Sequence, residues 1–176
     1  PRDVDGTAFL SHTKITEPDD QWLYLPALKR VKRISSSNKS GPFVGSEFAF
    51  EDLYSQEIEK YTYKYLKDES AEGQDCFVVE RYPVYKSSGY TRQVTWIDKA
   101  EYRPIKIEYY DRKDSLLKTL VFSGYIQYQD AFWRAHTLSM ENHQTNKSTV
   151  LNLENFDFDT EIPESMFTSA RLKTIR

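Results

Sequence analysis

Cysteine is almost absent from this chain: Cys76 stands alone among 176 residues. One thiol cannot close a disulfide within the chain or supply a cysteine zinc site. Within the strand-like run CFVVERY, Cys76 reads as a small buried apolar side chain. It leaves the redox compartment open. Histidine is nearly as scarce. His12, His136 and His143 fall in separate expected strands or turns. The odd spacing of the last two sets them on opposite faces of a continuous strand. Long apolar runs are missing too. Leu120-Val121-Phe122 is typical of what is present, far short of the ~20 residues a spanning helix needs. No charge of one sign dominates. The formal net charge is -3, which gives no case for nucleic acid.

Catalytic signatures are equally thin. Ser46 lies in GSEF, without the flanking glycines of a nucleophile elbow. Gly41 and Gly45 lead into no Gly-Lys-Ser/Thr, so they form no phosphate loop. Asp157 and Asp159 share a strand face, but nothing sets a second carboxylate opposite them. A non-enzymatic protein with no catalytic residue, no metal and no cofactor is expected. The chain opens Pro1-Arg2-Asp3, with neither Met nor a leader. It reads as a processed or truncated piece, and a missing leader says nothing about destination.

What the chain has in plenty is aromatic side chains, at 15%, with 13 Tyr and 10 Phe. These favour sheet. The most telling segment is WIDKAEYRPIKIEYYD. Val94 and Trp96, then Ile105, Ile107 and Tyr109, keep a period of two around the polar turn Asp98-Lys99-Ala100-Glu101. That is a hairpin with one buried face. Pro104 lacks an N–H and belongs at a strand start or an edge. Similar runs recur at Thr7 to Ile15, Gln21 to Leu25, Tyr61 to Tyr65, CFVVERY, YTRQVTWI, SLLKTLVFSGYIQYQ, FWRAHTLSM and STVLNLENFDF. Gly124 sits where a bulge could fall. Eight to ten consecutive antiparallel strands are expected, in a strongly curved sheet or an incomplete barrel. In Gln21 to Leu25, Trp22 and Tyr24 share one face and Leu23 and Leu25 the other, so both faces are covered.

Between the second and third of those runs lie two features of a different kind. Lys29, Arg30, Lys32 and Arg33 form a basic cluster, either a solvated face or a dock for an acidic partner or anionic membrane. Beyond a Ser-rich loop, Ser46 suits a helix cap, and Glu47, Glu51 and Asp52 suit its first turn. Phe50, Leu53 and Tyr54 follow helical spacing. Pro163-Glu164-Ser165 opens a second short helix. Pro42-Phe43-Val44, with Phe48 and Phe50, must bury its apolar side against the sheet. It reads as a core plug or as a lid over a hydrophobic cavity.

The order Trp22-x-Tyr24-x-Pro26, a Gly-Pro-Phe loop, a Trp-x-Asp turn and Pro104-x-Lys106-x-Glu108 resembles the outer-membrane lipoprotein-sorting, LolA-like carriers. The stretch from Trp22 to Leu53 is most similar to a branch associated with exporters of the resistance–nodulation–division type. The resemblance implies a mainly β fold: one domain over 1–176, a curved antiparallel sheet forming an unclosed half-barrel with lid helices. It implies that the family's first helix and strands precede this chain. It implies a periplasmic carrier of lipoprotein acyl chains or another lipid, with an envelope sensor or exporter-linked adaptor as the alternative. Trp22, Tyr24, Phe43, Val44, Phe48, Phe50, Val94, Trp96 and Ile107 would meet the ligand. An inner-membrane transporter would be a partner, and the chain without its first strands would self-associate through the edge near Thr7 to Ile15.

Overall fold

A computed structural model describes residues 2, 4–15, 17–53, 57–158 and 160–174. Among the described residues ten strands run in chain order: β1 (Ala8–His12), β2 (Asp20–Leu25), β3 (Arg30–Ile34), β4 (Tyr61–Ala71), β5 (Gln74–Pro83), β6 (Arg92–Asp98), β7 (Pro104–Tyr110), β8 (Leu116–Tyr128), β9 (Phe132–Asn142) and β10 (Lys147–Asn152). They form two open antiparallel sheets. The smaller has the order β1-β2-β3 and the larger runs β10-β9-β8-β7-β6-β5-β4. Within each sheet consecutive strands pair, whereas the long segment between Ile34 and Tyr61 separates β3 from β4 and divides the two sheets. The expected hairpin at Asp98 to Glu101 joins β6 to β7, and Pro104 opens β7.

β3 was not foreseen as a strand. Its sequence reads RVKRI, and as an edge strand of the small sheet it carries charge on both faces. Charged edges discourage pairing with other chains. Gly124 has φ of 64°, yet the β8–β9 register runs unbroken past it. The register shifts instead lie between Tyr65 and Lys67, Trp96 and Ile97, and Tyr109 and Tyr110.

The two expected helices are corrected. Around Ser46 to Leu53 there is only a 3-10 turn, Phe50–Asp52. Tyr54 lies outside the described residues, as does Asp159. Near the C-terminus there are two 3-10 turns, Glu164–Met166 and Arg171–Lys173. The first failure has a physical cause. Ser46 and Asp52 still make local capping bonds, accepting from Phe48 N and Ala49 N, but Glu47 and Asp52 are also pinned to the large sheet, which fixes the path of the chain. Asn142 Nδ2 donates to Glu47 Oε2 at 2.7 Å, and Lys118 Nζ donates to Asp52 Oδ2 at 2.6 Å.

Residues 41–53 form a wedge between the sheets. Phe48 packs with Ile107, Tyr109, Leu120 and Met140 of the large sheet. Phe50 packs with Leu23 and Ile34 of the small one. Phe43 touches both groups. Phe9, Phe43 and Phe50 meet ring to ring, with centroids 5.4–5.9 Å apart. Such aromatic contacts add ~0.5–1.5 kcal/mol each beyond area burial.

Candidate functional site: an apolar cleft beside the small sheet

Cross-strand register decides which side chains share a face of the small sheet. Phe9 lies opposite Leu23, Lys32 opposite Leu23, and Arg30 opposite Leu25. Gln21 lies opposite Ile34. This face looks toward the wedge. Where the wedge does not fill it, an open cleft of about 580 Å³ remains, walled by Leu23, Leu25, Ile34, Val44 and Phe50. Lys32 stands in the same wall, and Ser37, Asn38, Ser40, Gly41 and Pro42 close the far side. The sheet side is apolar with one cation and the far side adds Ser37, Asn38 and Ser40, which suits an aliphatic ligand bearing a polar or anionic end.

A small hairpin carries Val44 to the cleft. Phe43 N donates to Phe48 O at 2.6 Å, and Ser46 N donates to Phe43 O at 2.9 Å. Between them Val44 has φ of 50° and Gly45 φ of 76°. Two successive positive φ values define a type I′ turn, which strongly prefers Asn-Gly or Gly-Gly. A β-branched residue in the left-handed region is a genuine outlier. Such strain costs of order 1–3 kcal/mol and is often held at ligand sites. Asparagine would fit the backbone better. Valine offers an apolar surface to the cleft.

Deeper on the same face, Ser11 and Gln21 oppose each other across β1 and β2. Gln21 is fully buried, and neither its side-chain amide nor the Ser11 hydroxyl has a hydrogen-bond partner among the described residues.

The wedge itself is firmly tied. Tyr90 Oη donates to Asp52 Oδ1 at 2.7 Å, and Lys118 Nζ donates to Glu47 O at 3.0 Å. Glu51 is buried and accepts from Gly89 N at 2.8 Å and Ser88 Oγ at 2.9 Å. Burial pushes the Glu51 carboxyl above its ordinary range, and these hydrogen bonds pull only partly against it.

The nine expected ligand residues do not meet in one place. Val44 and Phe50 line the cleft, and Phe43 packs behind them. Phe48 and Ile107 are core on the large sheet. Val94 and Trp96 lie on the opposite face of that sheet from Ile107, because Ile107 pairs with the intervening Thr95. There Trp96 donates to Glu69 Oε2 at 2.7 Å and Lys106 Nζ sits 3.6 Å from its ring centre. Trp22 and Tyr24 alternate with Leu23 and Leu25 and so face away from the cleft. The ring of His12 meets Trp22 at 5.0 Å, and His12 Nε2 donates to Phe167 O, which runs the C-terminal segment along that side. Leu172, on the same segment, is buried.

The basic cluster is also divided. Arg30 and Lys32 share the cleft face, whereas Arg33 shares the Trp22 face and is paired with Asp20. Arg33 and then Lys14 hold the Asp20 carboxyl down at about 2. Lys29 is exposed at the turn before β3, with φ of 49°. Leu23, Leu25 and Ile34, which line the cleft, stand outside the expected ligand set. The period of two in β2 was the available signal, since it offered two faces.

A family model described as an uncharacterized protein matches residues 1–174. No curated protein matches the chain. Among solved structures, an outer membrane lipoprotein-sorting protein domain from Vibrio parahaemolyticus is 64% identical, with a TM-score of 0.94 over 98% of this chain and 74% of that one. A DUF1329 family protein from Desulfovibrio piger is 33% identical, with a TM-score of 0.90 over 98% of this chain and 73% of that one. A LolA superfamily protein from Nitrosomonas europaea shares the fold at 23% identity, with a TM-score of 0.68 over 85% of this chain and 66% of that one.

Proposed function

Because this chain belongs to the DUF1329 family of LolA-like, outer-membrane lipoprotein-sorting domains, we propose that it carries a hydrophobic ligand through the periplasm. The ligand class is lipoprotein acyl chains or another lipid, and the role is non-enzymatic. The observation that carries this reading is Val44, an apolar residue kept in a costly backbone conformation on the wall of an apolar cleft.

Magnitudes shape the proposal. A buried methylene contributes ~0.8 kcal/mol, so ten of them contribute about 8 kcal/mol. Association costs ~4–15 kcal/mol in lost freedom. A single chain in the cleft as it stands would therefore bind weakly. A charged end near Lys32, or a widening of the cleft at the Val44 hairpin, would add what is missing. Weak retention suits a carrier that hands its cargo to an inner-membrane transporter or an outer-membrane acceptor. The exposed Lys29 and Arg30 would dock such a partner. Self-association through the β1 edge belongs to the same proposal, and sedimentation would reveal it.

Titration with a fluorescent fatty-acyl probe tests the reading. The wild type should show saturable binding, and Leu25→Gln should weaken it about tenfold or more, the equivalent of ~1.4 kcal/mol. Absence of saturable binding, or equal affinity in a folded Leu25→Gln variant, would sink the proposal.

A further inference from the structure

A second pocket lies away from the cleft, where the start of β2, the turn at 39 and the start of β4 converge. Its volume is about 180 Å³. Ile15, Pro18, Val84 and Tyr85 give it apolar walls, and Ile15 and Val84 are themselves more than half exposed. Two lysines line the interior. Lys39 is 4% exposed and Lys60 6% exposed. Lys60 Nζ donates to Asp19 Oδ1 at 2.6 Å. Lys39 Nζ donates to the Asp19 carbonyl oxygen at 2.6 Å. Asp19 is as deeply buried as they are.

Among the described residues, two buried ammonium groups share one buried carboxylate, Asp19, whose Oδ1 accepts from Lys60 Nζ. Lys39 has three N–H donors and one hydrogen bond, to a neutral carbonyl. Burial of a cation is costly unless it is paired. The cost shows in the direction of its titration: desolvation lowers the Lys39 ammonium below its ordinary range. Ser87, in the same wall, adds a hydroxyl that donates to no protein acceptor among the described residues. Glu17 and Glu59 also border the pocket, but both are exposed, where water screens them.

We propose that this pocket binds a phosphate group through Lys39, Lys60 and Ser87. A tetrahedral phosphate presents enough acceptor oxygens to reach two ammonium groups and a hydroxyl together, whereas a carboxylate has only two. Charge-assisted contacts of this kind are the stronger ones. A pocket of this size admits a phosphate and a glycerol unit. The apolar lip of Ile15 and Val84 suits the start of a chain leaving the pocket. The phosphate has two possible sources, a lipid headgroup and free phosphate. The headgroup source rests on the carriage reading above; the phosphate site does not.

Calorimetric titration of the wild type with inorganic phosphate, dihexanoyl phosphatidate and dihexanoylglycerol separates these cases. Both phosphate-bearing probes should bind and dihexanoylglycerol should not bind here. Lys39→Gln keeps a donor for the Asp19 carbonyl and removes the charge; it should weaken phosphate binding by about tenfold or more, as expected for a hydrogen bond to a charged group. Affinity for the fatty-acyl probe in the cleft should stay unchanged. Phosphatidate binding much tighter than phosphate assigns the site to headgroups, and equal affinities assign it to free phosphate. No phosphate binding by the wild type, or full affinity in a folded Lys39→Gln variant, overturns the proposal. Should that variant fail to fold, Ser87→Ala decides, since it leaves both lysines in place: a loss of about threefold or more supports the site, and an unchanged affinity rejects it.

Discussion

Lys118 of β8 and Asp52 of the wedge form an ion pair of 2.6 Å with both side chains at most 4% exposed. It joins the wedge to the large sheet at a distance of 66 residues in sequence. The same ammonium donates to Glu47 O, and Tyr90 Oη donates to the other Asp52 oxygen. A lid that swung freely would have to strip charges from each other in a dry interior. The wedge is therefore anchored at Phe48 to Asp52, and freedom to move is left to the hairpin tip at Val44 and Gly45.

Breaking that pair should be costly. Lys118→Met removes one partner and leaves a buried carboxylate without its counter-ion, a change worth ~3–5 kcal/mol. Urea unfolding should show the midpoint fall accordingly with an unchanged slope. A loss under ~1 kcal/mol would mean that residues 47–52 open readily, and the wedge would then be a lid after all.

At the tip the expectation has the opposite sign. Val44→Asn places a residue that tolerates positive φ into the type I′ turn. Relief of strain should raise stability by ~1 kcal/mol. Acyl-probe affinity should fall, because the cleft loses an apolar wall. Stabilisation together with undiminished affinity would remove Val44 from the site.

How these features stood in the sequence depends on what period two can say. It located nine of the ten strands, because β-branched and aromatic residues alternate along them. It could not say which face of a sheet is inner. Val94 and Trp96 are apolar and buried, but long side chains such as Lys106 cover them on the far face. β3 escaped notice because Arg30 and Arg33 put charge on both faces of an edge strand. The helix expected after Ser46 followed local cap rules. Those rules are weak beside a buried ion pair made with a residue far along the chain. The cleft was half visible: the inserted aromatic segment pointed to it, while its sheet wall, Leu23, Leu25 and Ile34, depends on register.

Glu51 supplies a pH dependence. Its folded-state carboxyl titrates above the ordinary value because it is buried. A raised acid binds its proton more tightly in the folded state, so its contribution is fully present below the unfolded value of ~4.3 and is lost as pH rises through the folded value. Glu51→Gln keeps an oxygen to accept from Gly89 N, turns its amide toward the Ser88 hydroxyl, and cannot ionise. Its stability relative to wild type should improve from pH 4 to pH 8, measured by thermal unfolding at each pH. A relative stability that stays flat or falls over that range would show that the Glu51 carboxylate is well solvated or well paired.

The division of the basic cluster leads to a final expectation. Arg33 is engaged by Asp20, whereas Lys29, Arg30 and Lys32 are exposed on and beside the cleft face. Long-range attraction to an anionic surface should therefore come from those three. Replacing them together with Gln should slow association with phosphatidylglycerol vesicles at low salt. Arg33→Gln should change that rate little, because its charge is already offset. The difference should shrink as salt rises toward physiological strength, where screening acts over ~8 Å. Folding should be intact in both proteins, since exposed charges away from special features alter stability by only ~0.5 kcal/mol. Stopped-flow measurements on the two variants would settle the matter. Equal rates for the triple variant and the wild type at low salt would reduce the cluster to a solvated edge that guards β3 against pairing.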